Sequence, residues 1–214
     1  MTLALQMPLF VMESQQSQVH SIEGFSYYQE FIRSDDEDRL IKHADSYPWD
    51  TTWKRRIQQY GFSYGTSRRE SLGEMPDWLS WLCTRLHEER IFKATPNQVI
   101  INEYLPGQGI APHVDYLSNY GNTVASLSLG SAIVMDFMSE EKKKISHLLE
   151  PRSLFVLSGP ARFNWKHGIA PRKMDHFLGA AITRGRRLSC TFRTTSDLHP
   201  KGKAIVSHVR SCRL

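Results

Sequence analysis

Beyond residue 96 the chain breaks into short β-prone runs with no helical periodicity between them, and this constrains the fold more than any other feature. The runs Gln98–Tyr104, Thr123–Leu129, Ala132–Met138, Ile145–Leu149, Ser153–Ser158 and Arg187–Thr194 are rich in β-branched and aromatic residues. Turn signals at Pro106-Gly107, Gly130-Ser131, Lys142–Lys144 and Gly159-Pro160 separate them. Many short strands without intervening helices call for a jelly roll or barrel.

The first half reads differently. Ser34 followed by Glu37 has the form of a capping box ahead of Leu40, Ile41 and Ala44. A second helix is predicted from Pro76 at its start and from Leu79, Leu82, Cys83 and Leu86 at helical spacing. Between them Trp53–Gly65 concentrates bases, aromatics and glycine, and reads as a hairpin or loop. The expected organisation is a flexible lead-in over 1–21, one domain over 22–195 and a basic tail over 196–214. Within the domain, 22–95 form a helical extension and 96–195 the β core, with helices backing a core whose mouth holds the site.

With 214 residues the chain buries an adequate core in one domain. It has no apolar run of about 18 residues, so no membrane helix is expected. The apolar opening lacks the basic start and small-residue cleavage site of a signal peptide. Cys83, Cys190 and Cys212 are odd in number and show no CxxC spacing, which argues for reduced thiols and an intracellular location, cytoplasmic or, in a eukaryote, nuclear. Lys201, Lys203, Arg210 and Arg213 alone account for four of the net +5, so overall charge is weak evidence for a nucleic-acid partner. A monomer is expected.

The chemistry lies in two alternating patterns. His113-Val-Asp115 with the distant His167 supplies two imidazoles and one carboxylate, the set that leaves open positions on non-haem Fe(II). Arg187-Leu-Ser189-Cys-Thr191-Phe-Arg193 puts two guanidiniums on one strand face, because side chains repeat with period two. Two such forks suit a small dicarboxylate such as 2-oxoglutarate. An HxD pair among nine histidines is unremarkable by itself, and arginines are usually solvated. The small polar Ser189 and Thr191 beside the arginines, against apolar Leu188, Cys190 and Phe192, fit one face lining a cavity and one packed in a core. Asn102 and Tyr104 share a face of their own strand and require partners if buried.

Asn102-x-Tyr104, His113-x-Asp115, His167 and the Arg187-to-Arg193 strand, in that order, resemble the signature of the AlkB family of Fe(II)/2-oxoglutarate dioxygenases, which have a double-stranded β-helix (jelly-roll) core. The resemblance runs from about Arg55 to Thr194. In the last strand the family pattern is RxNxTxR. Ser189 stands where the family has Asn, which implies one amide hydrogen bond fewer to the cofactor. The stretches Ile110–Asp115, Ser126–Gly130 and Trp165–Ile169 are most similar to the branch containing the tRNA wobble-uridine hydroxylase. That homologue's RNA-recognition and methyltransferase domains find no room in this chain.

The resemblance implies that His113, Asp115 and His167 bind iron, that Arg187 and Tyr104 hold the distal carboxylate of 2-oxoglutarate, and that Arg193 and Asn102 hold its chelating end, with Ser189 and Thr191 between. It also implies a lid over the target base, for which Arg55, Arg56, Tyr60, Phe62 and Tyr64 are the candidates, bases meeting phosphates and rings stacking on the base. Trp53 is a weaker candidate, because Trp is often core. The implied reaction uses O2 to hydroxylate an N-alkyl group on a nucleobase of DNA or RNA, giving an aldehyde and the free base. Hydroxylation of a tRNA base modification, action on protein, and a nucleic-acid-binding module with a vestigial site are the alternatives.

Overall fold

The computed structural model describes residues 21–64 and 70–195. The expected basic tail and nearly all of the expected lead-in lie outside them. The order is β1 (Phe25–Tyr28), α1 (Ser34–Ser46), β2 (Ile57–Tyr60), α2 (Asp77–Glu88), β3 (Gln98–Tyr104), β4 (Ile110–His113), β5 (Tyr120–Gly130), β6 (Ile133–Ser139), β7 (Lys144–Leu149), β8 (Leu154–Ser158), α3 (Gly159–Phe163), β9 (Trp165–Ile169), β10 (Met174–Phe177), β11 (Ala180–Thr183) and β12 (Arg187–Thr195). A six-stranded antiparallel sheet runs β1-β8-β5-β12-β3-β2 and faces a four-stranded sheet β4-β9-β6-β7, while β10 and β11 form a hairpin. The fold is a jelly roll backed by helices. All six β-prone runs are strands.

The large sheet separates two apolar cores because its strands alternate. Val99 and Ile101 of β3, Ala125, Leu127 and Leu129 of β5, and Leu188, Cys190 and Phe192 of β12 face the helices. There they bury Leu40 and Ala44 of α1 and Leu79, Leu82, Cys83 and Leu86 of α2. Each fully buried leucine contributes about 1.5–3 kcal/mol. On the other face Tyr104, Phe155 and Leu157 meet Ile133, Met135, Phe137 and Ile169 of the small sheet. The free cysteines Cys83 and Cys190 are both buried on the helix side.

Three expectations are corrected. The helix begins at Ser34 with Arg33 as its cap, so the capping box shifts one residue toward the N-terminus, to Arg33 and Asp36, whose carboxylate accepts from the Arg33 N–H at 3.3 Å. Glu37 instead ties α1 to the sheet, accepting from the Gly130 N–H at 2.7 Å and from Arg152 at 2.9 Å. Nor is the stretch 22–95 only a helical extension: it supplies β1 and β2, the two edge strands of the large sheet. The segment around Trp53 is not a hairpin, because β2 pairs with β3 rather than with its own neighbour.

Candidate active site

Where the space between the sheets opens, a cavity of about 420 Å³ continues the inner core. Its floor and one wall come from the inward residues of the large sheet. Ser189 stands opposite Asn102 on one side and Ser128 on the other, and Arg187 opposite Tyr104. The opposing wall comes from the small sheet, where the pairing of β4 with β9 sets His113 directly across from His167. Gly168 makes that approach possible: a Cβ there would sit 2.9 Å from the Pro112 Cα and 3.0 Å from the Ile110 carbonyl oxygen.

His113, Asp115 and His167 offer ligand atoms that all lie within 4.8 Å of one another. The His113 Nδ1 faces the Ala111 carbonyl at 2.9 Å, so Nδ1 carries the proton and Nε2 keeps its lone pair for a metal. That Nε2 is 3.5 Å from the Asp115 Oδ1, and the His167 Nε2 is 4.0 Å from the same atom. Burial pushes His167 down to about 4, leaving it a neutral ligand. Burial by itself would raise the Asp115 carboxyl, but Arg193 and His113 outweigh it and hold Asp115 well below the usual carboxylate range. Two neutral imidazoles and one carboxylate at this spacing fit Fe(II).

The arginine strand fits a dicarboxylate at one end. Arg187 is 1% exposed, and its charge is held by hydroxyls rather than an acid: Nε donates to the Ser128 Oγ at 2.8 Å and Nη2 to the Ser189 Oγ at 3.5 Å. Its Nη1 is buried with no hydrogen-bond partner, and burial pulls the guanidinium down to about 10. A cation in this condition calls for a carboxylate. The Tyr104 ring lies between two guanidiniums, 5.4 Å from Arg187 and 5.1 Å from Arg55. Ser189 shares a 2.7 Å hydrogen bond with Ser126, and Thr191 donates to the same oxygen at 3.4 Å. The serine in place of the family's asparagine thus belongs to a row of hydroxyls along the cavity wall.

Arg193 lines the cavity, as Asn102 does, and it also reaches the metal-site carboxylate. Its Nε donates to the Asp115 Oδ2 at 3.0 Å and its Nη1 to the Gln98 side chain at 3.0 Å, while Tyr64 and Tyr120 flank it at 5.2 and 4.8 Å. It therefore anchors the carboxylate ligand itself. The reason is position along β12: Arg193 reaches the level of the loop after β4, six residues beyond Arg187. Asn102 lines the cavity as expected.

The lid candidates divide by strand alternation. Arg55 and Ile57 point into the cavity, as does Trp53 at its mouth. Arg56 and Tyr60 point the other way, which removes them from the cavity lining. Arg56 forks onto Glu103 and lies over Trp49, and Tyr60 packs edge-on against Trp78. Phe62 makes a single bridge to Ser71 and does not line the cavity either. At Gly61, with φ of 77°, the chain turns sharply; a Cβ there would collide with the Asn97 carbonyl. The turn returns Tyr64 to the cavity, where its N–H donates to the Gln59 side chain at 2.6 Å and its ring stacks on Tyr120.

Several contributors were not read from the sequence. Tyr116 lines the mouth and is 52% exposed; its position beside Asp115 was the available signal. Gln98 supports Arg193, and Met135 and Phe155 give the cavity its apolar wall. Arg162 of α3 reaches the backbone behind Asp115.

Similarity to known proteins agrees with this geometry. The family model described as 2OG-Fe(II) oxygenase superfamily matches residues 7–193. The uncharacterized protein L905 of Acanthamoeba polyphaga mimivirus is 36% identical over 199 residues, covering 89% of this chain and 94% of that one. The tRNA (carboxymethyluridine(34)-5-O)-methyltransferase ALKBH8 of Mus musculus is 35% identical over 199 residues, covering 79% of this chain, which spans only 30% of the mouse protein. The alkylated DNA repair protein ALKBH8 homolog of Arabidopsis thaliana is 31% identical, over 84% of this chain and 60% of that protein. Among solved structures, that of OsALKBH1 shares the fold with a TM-score of 0.58 at 17% identity, over 80% of this chain and 98% of that one. No helix among the described residues is long and apolar enough to cross a membrane. A chain with these relatives and this His-Asp-His triad belongs to the 2OG-Fe(II) oxygenase superfamily and, within it, to the AlkB family: it is an Fe(II)- and 2-oxoglutarate-dependent dioxygenase.

Proposed function

We propose that this dioxygenase removes N-alkyl groups from nucleobases of DNA or RNA. The observation that carries the reading is the cavity mouth, where the half-exposed rings of Trp53 and Tyr116 and the guanidinium of Arg55 surround the triad. Flat rings stack on a base taken out of its strand, and a nearby cation meets phosphate. When bound, Fe(II) and 2-oxoglutarate supply the power to hydroxylate a C–H bond with O2.

The chain's residues do the rest. His113, Asp115 and His167 hold the metal, and Arg193 keeps the carboxylate ligand ionised and aimed. Arg187, with Tyr104, takes the distal carboxylate of the cofactor, and Asn102 lies toward its other end. Met135, Phe155, Val124 and Ile100 exclude water from the reacting carbon. Trp53, Tyr64 and Tyr116 orient the base so that its alkyl group points at the triad. The hydroxylated alkyl group then leaves as an aldehyde, returning the N–H to the base.

A second reading, hydroxylation of a tRNA base modification without loss of carbon, takes only its substrate class from the mouse relative, whose name specifies a modified uridine of tRNA. Mass analysis of methylated DNA, RNA and tRNA oligonucleotides separates the two. Dealkylation gives a lost methyl and an equal amount of formaldehyde, whereas the second reading gives a gained oxygen and no aldehyde. His113→Ala should abolish either product while leaving the fold intact, because that side chain is partly exposed. If no oligonucleotide changes mass or speeds 2-oxoglutarate turnover, the nucleic-acid reading fails.

A further inference from the structure

The loop that carries Asp115 to the metal has little of its own to hold it. β4 ends at His113, so Val114, Asp115 and Tyr116 lie outside the strand ladder. Yet the Asp115 carboxylate must stay within a few tenths of an ångström of its working position for a ligand set to function. Arg193 reaches it through the side chain. A second arginine reaches it from behind.

Arg162 lies in the short helix α3 and is 1% exposed. Its Nη1 donates to the Asp115 carbonyl at 3.0 Å and its Nη2 to the Tyr116 carbonyl at 3.2 Å, while Nε is buried without a partner. Among the described residues no carboxylate lies close enough to form an ion pair with it. A buried cation with only neutral acceptors is costly, and a core position of this size takes an apolar side chain more cheaply. The planar fork is suited to gripping two successive carbonyls, which a lysine's point charge cannot do. Five residues further on the same segment delivers His167, so α3 and β9 control two of the three ligands.

We propose that Arg162 is a positioning residue for the metal site: it clamps the Asp115–Tyr116 backbone, aiming the Asp115 carboxylate at the metal and setting the Tyr116 ring at the mouth. This rests on the assignment of the triad as the iron site. Its failure is distinguishable, since Asp115→Asn or His113→Ala would still abolish metal binding if only the Arg162 role is wrong.

The test uses Arg162→Met and Arg162→Lys in the full chain, with Co(II) as the probe metal in the presence of 2-oxoglutarate. Co(II) affinity and the visible spectrum report ligand geometry independently of turnover. Loss of an outer partner of a metal ligand lowers metal affinity by about 10–100-fold. Arg162→Met should fall in that range with an altered Co(II) spectrum, and Arg162→Lys, holding one carbonyl, should lie between it and wild type. Leu79→Ala, destabilising the helix-side core away from the triad, should leave Co(II) affinity unchanged. Wild-type affinity and spectrum in a folded Arg162→Met overturn the proposal. So does an equal loss of affinity in Leu79→Ala, which would make Arg162 merely part of the packing, and so does failure of both Arg162 variants to fold.

Discussion

The floor of the cavity and its mouth are built on opposite plans. The floor is regular sheet: Arg187, Ser128, Ser189 and Tyr104 occupy matched positions on three adjacent strands, and Arg187 is 1% exposed. The mouth is irregular chain: Trp53 and Tyr116 stand half in solvent, and Tyr64 reaches the cavity only through the turn at Gly61. A register cannot drift by one residue without turning every side chain to the other face, so the floor fixes what the cofactor must be. Loops are free of that constraint. On the proposed reading, the mouth is where substrate choice resides.

The largest effect should come from the floor. Arg187→Met should weaken 2-oxoglutarate binding by about 100-fold, the scale of losing one partner of a buried charged pair. Without cofactor its thermal stability should hold or rise, because the variant removes a buried cation that lacks an acid. Calorimetric titration with a melting curve checks both; a lower melting temperature with unchanged affinity would make Arg187 a structural residue. At the mouth Trp53→Ala should lower turnover of an alkylated oligonucleotide by roughly 10-fold, within the range for one stacked base. Uncoupled decarboxylation of 2-oxoglutarate should persist in that variant, and if it falls in parallel, mouth and floor are not separable. The smallest effect compares neighbours. Arg55→Ala should flatten the salt dependence of oligonucleotide binding by about one unit of slope, and Arg56→Ala should leave it unchanged. Equal slopes for the two variants would mean that the face a side chain occupies does not decide its role.

The same contrast explains what was legible in the sequence. The β12 pattern, with Leu188, Cys190 and Phe192 on one face and Arg187, Ser189, Thr191 and Arg193 on the other, could be read because period two is a local property that the register preserves. The triad was legible through its order. β4 and β9 are missing from the β-prone runs, where Pro112 and Gly168 interrupt their patterns; Gly168 is what allows their close pairing, because a Cβ there would meet the Pro112 backbone. Arg56 and Tyr60 were grouped with Arg55 and Tyr64 by composition, which carries no facing information. Arg193's attachment to Asp115 joins residues 78 apart in sequence and depends on how two sheets meet.

The strand that carries both arginines is the last of the described strands, yet it sits in the middle of the large sheet, between β5 and β3. A nascent chain leaving the ribosome therefore holds β3 and β5 with their facing edges unsatisfied until β12 has emerged. Contacts so distant in sequence make for slow folding and for exposed edges while it waits. They also impose an order: all three metal ligands are translated before either cofactor-side arginine. A chain stopped short of β12 has its two imidazoles on the small sheet but lacks both the Arg193 anchor for Asp115 and the cationic floor behind them. The two halves of the cavity thus come together only when β12 closes into the middle of the large sheet.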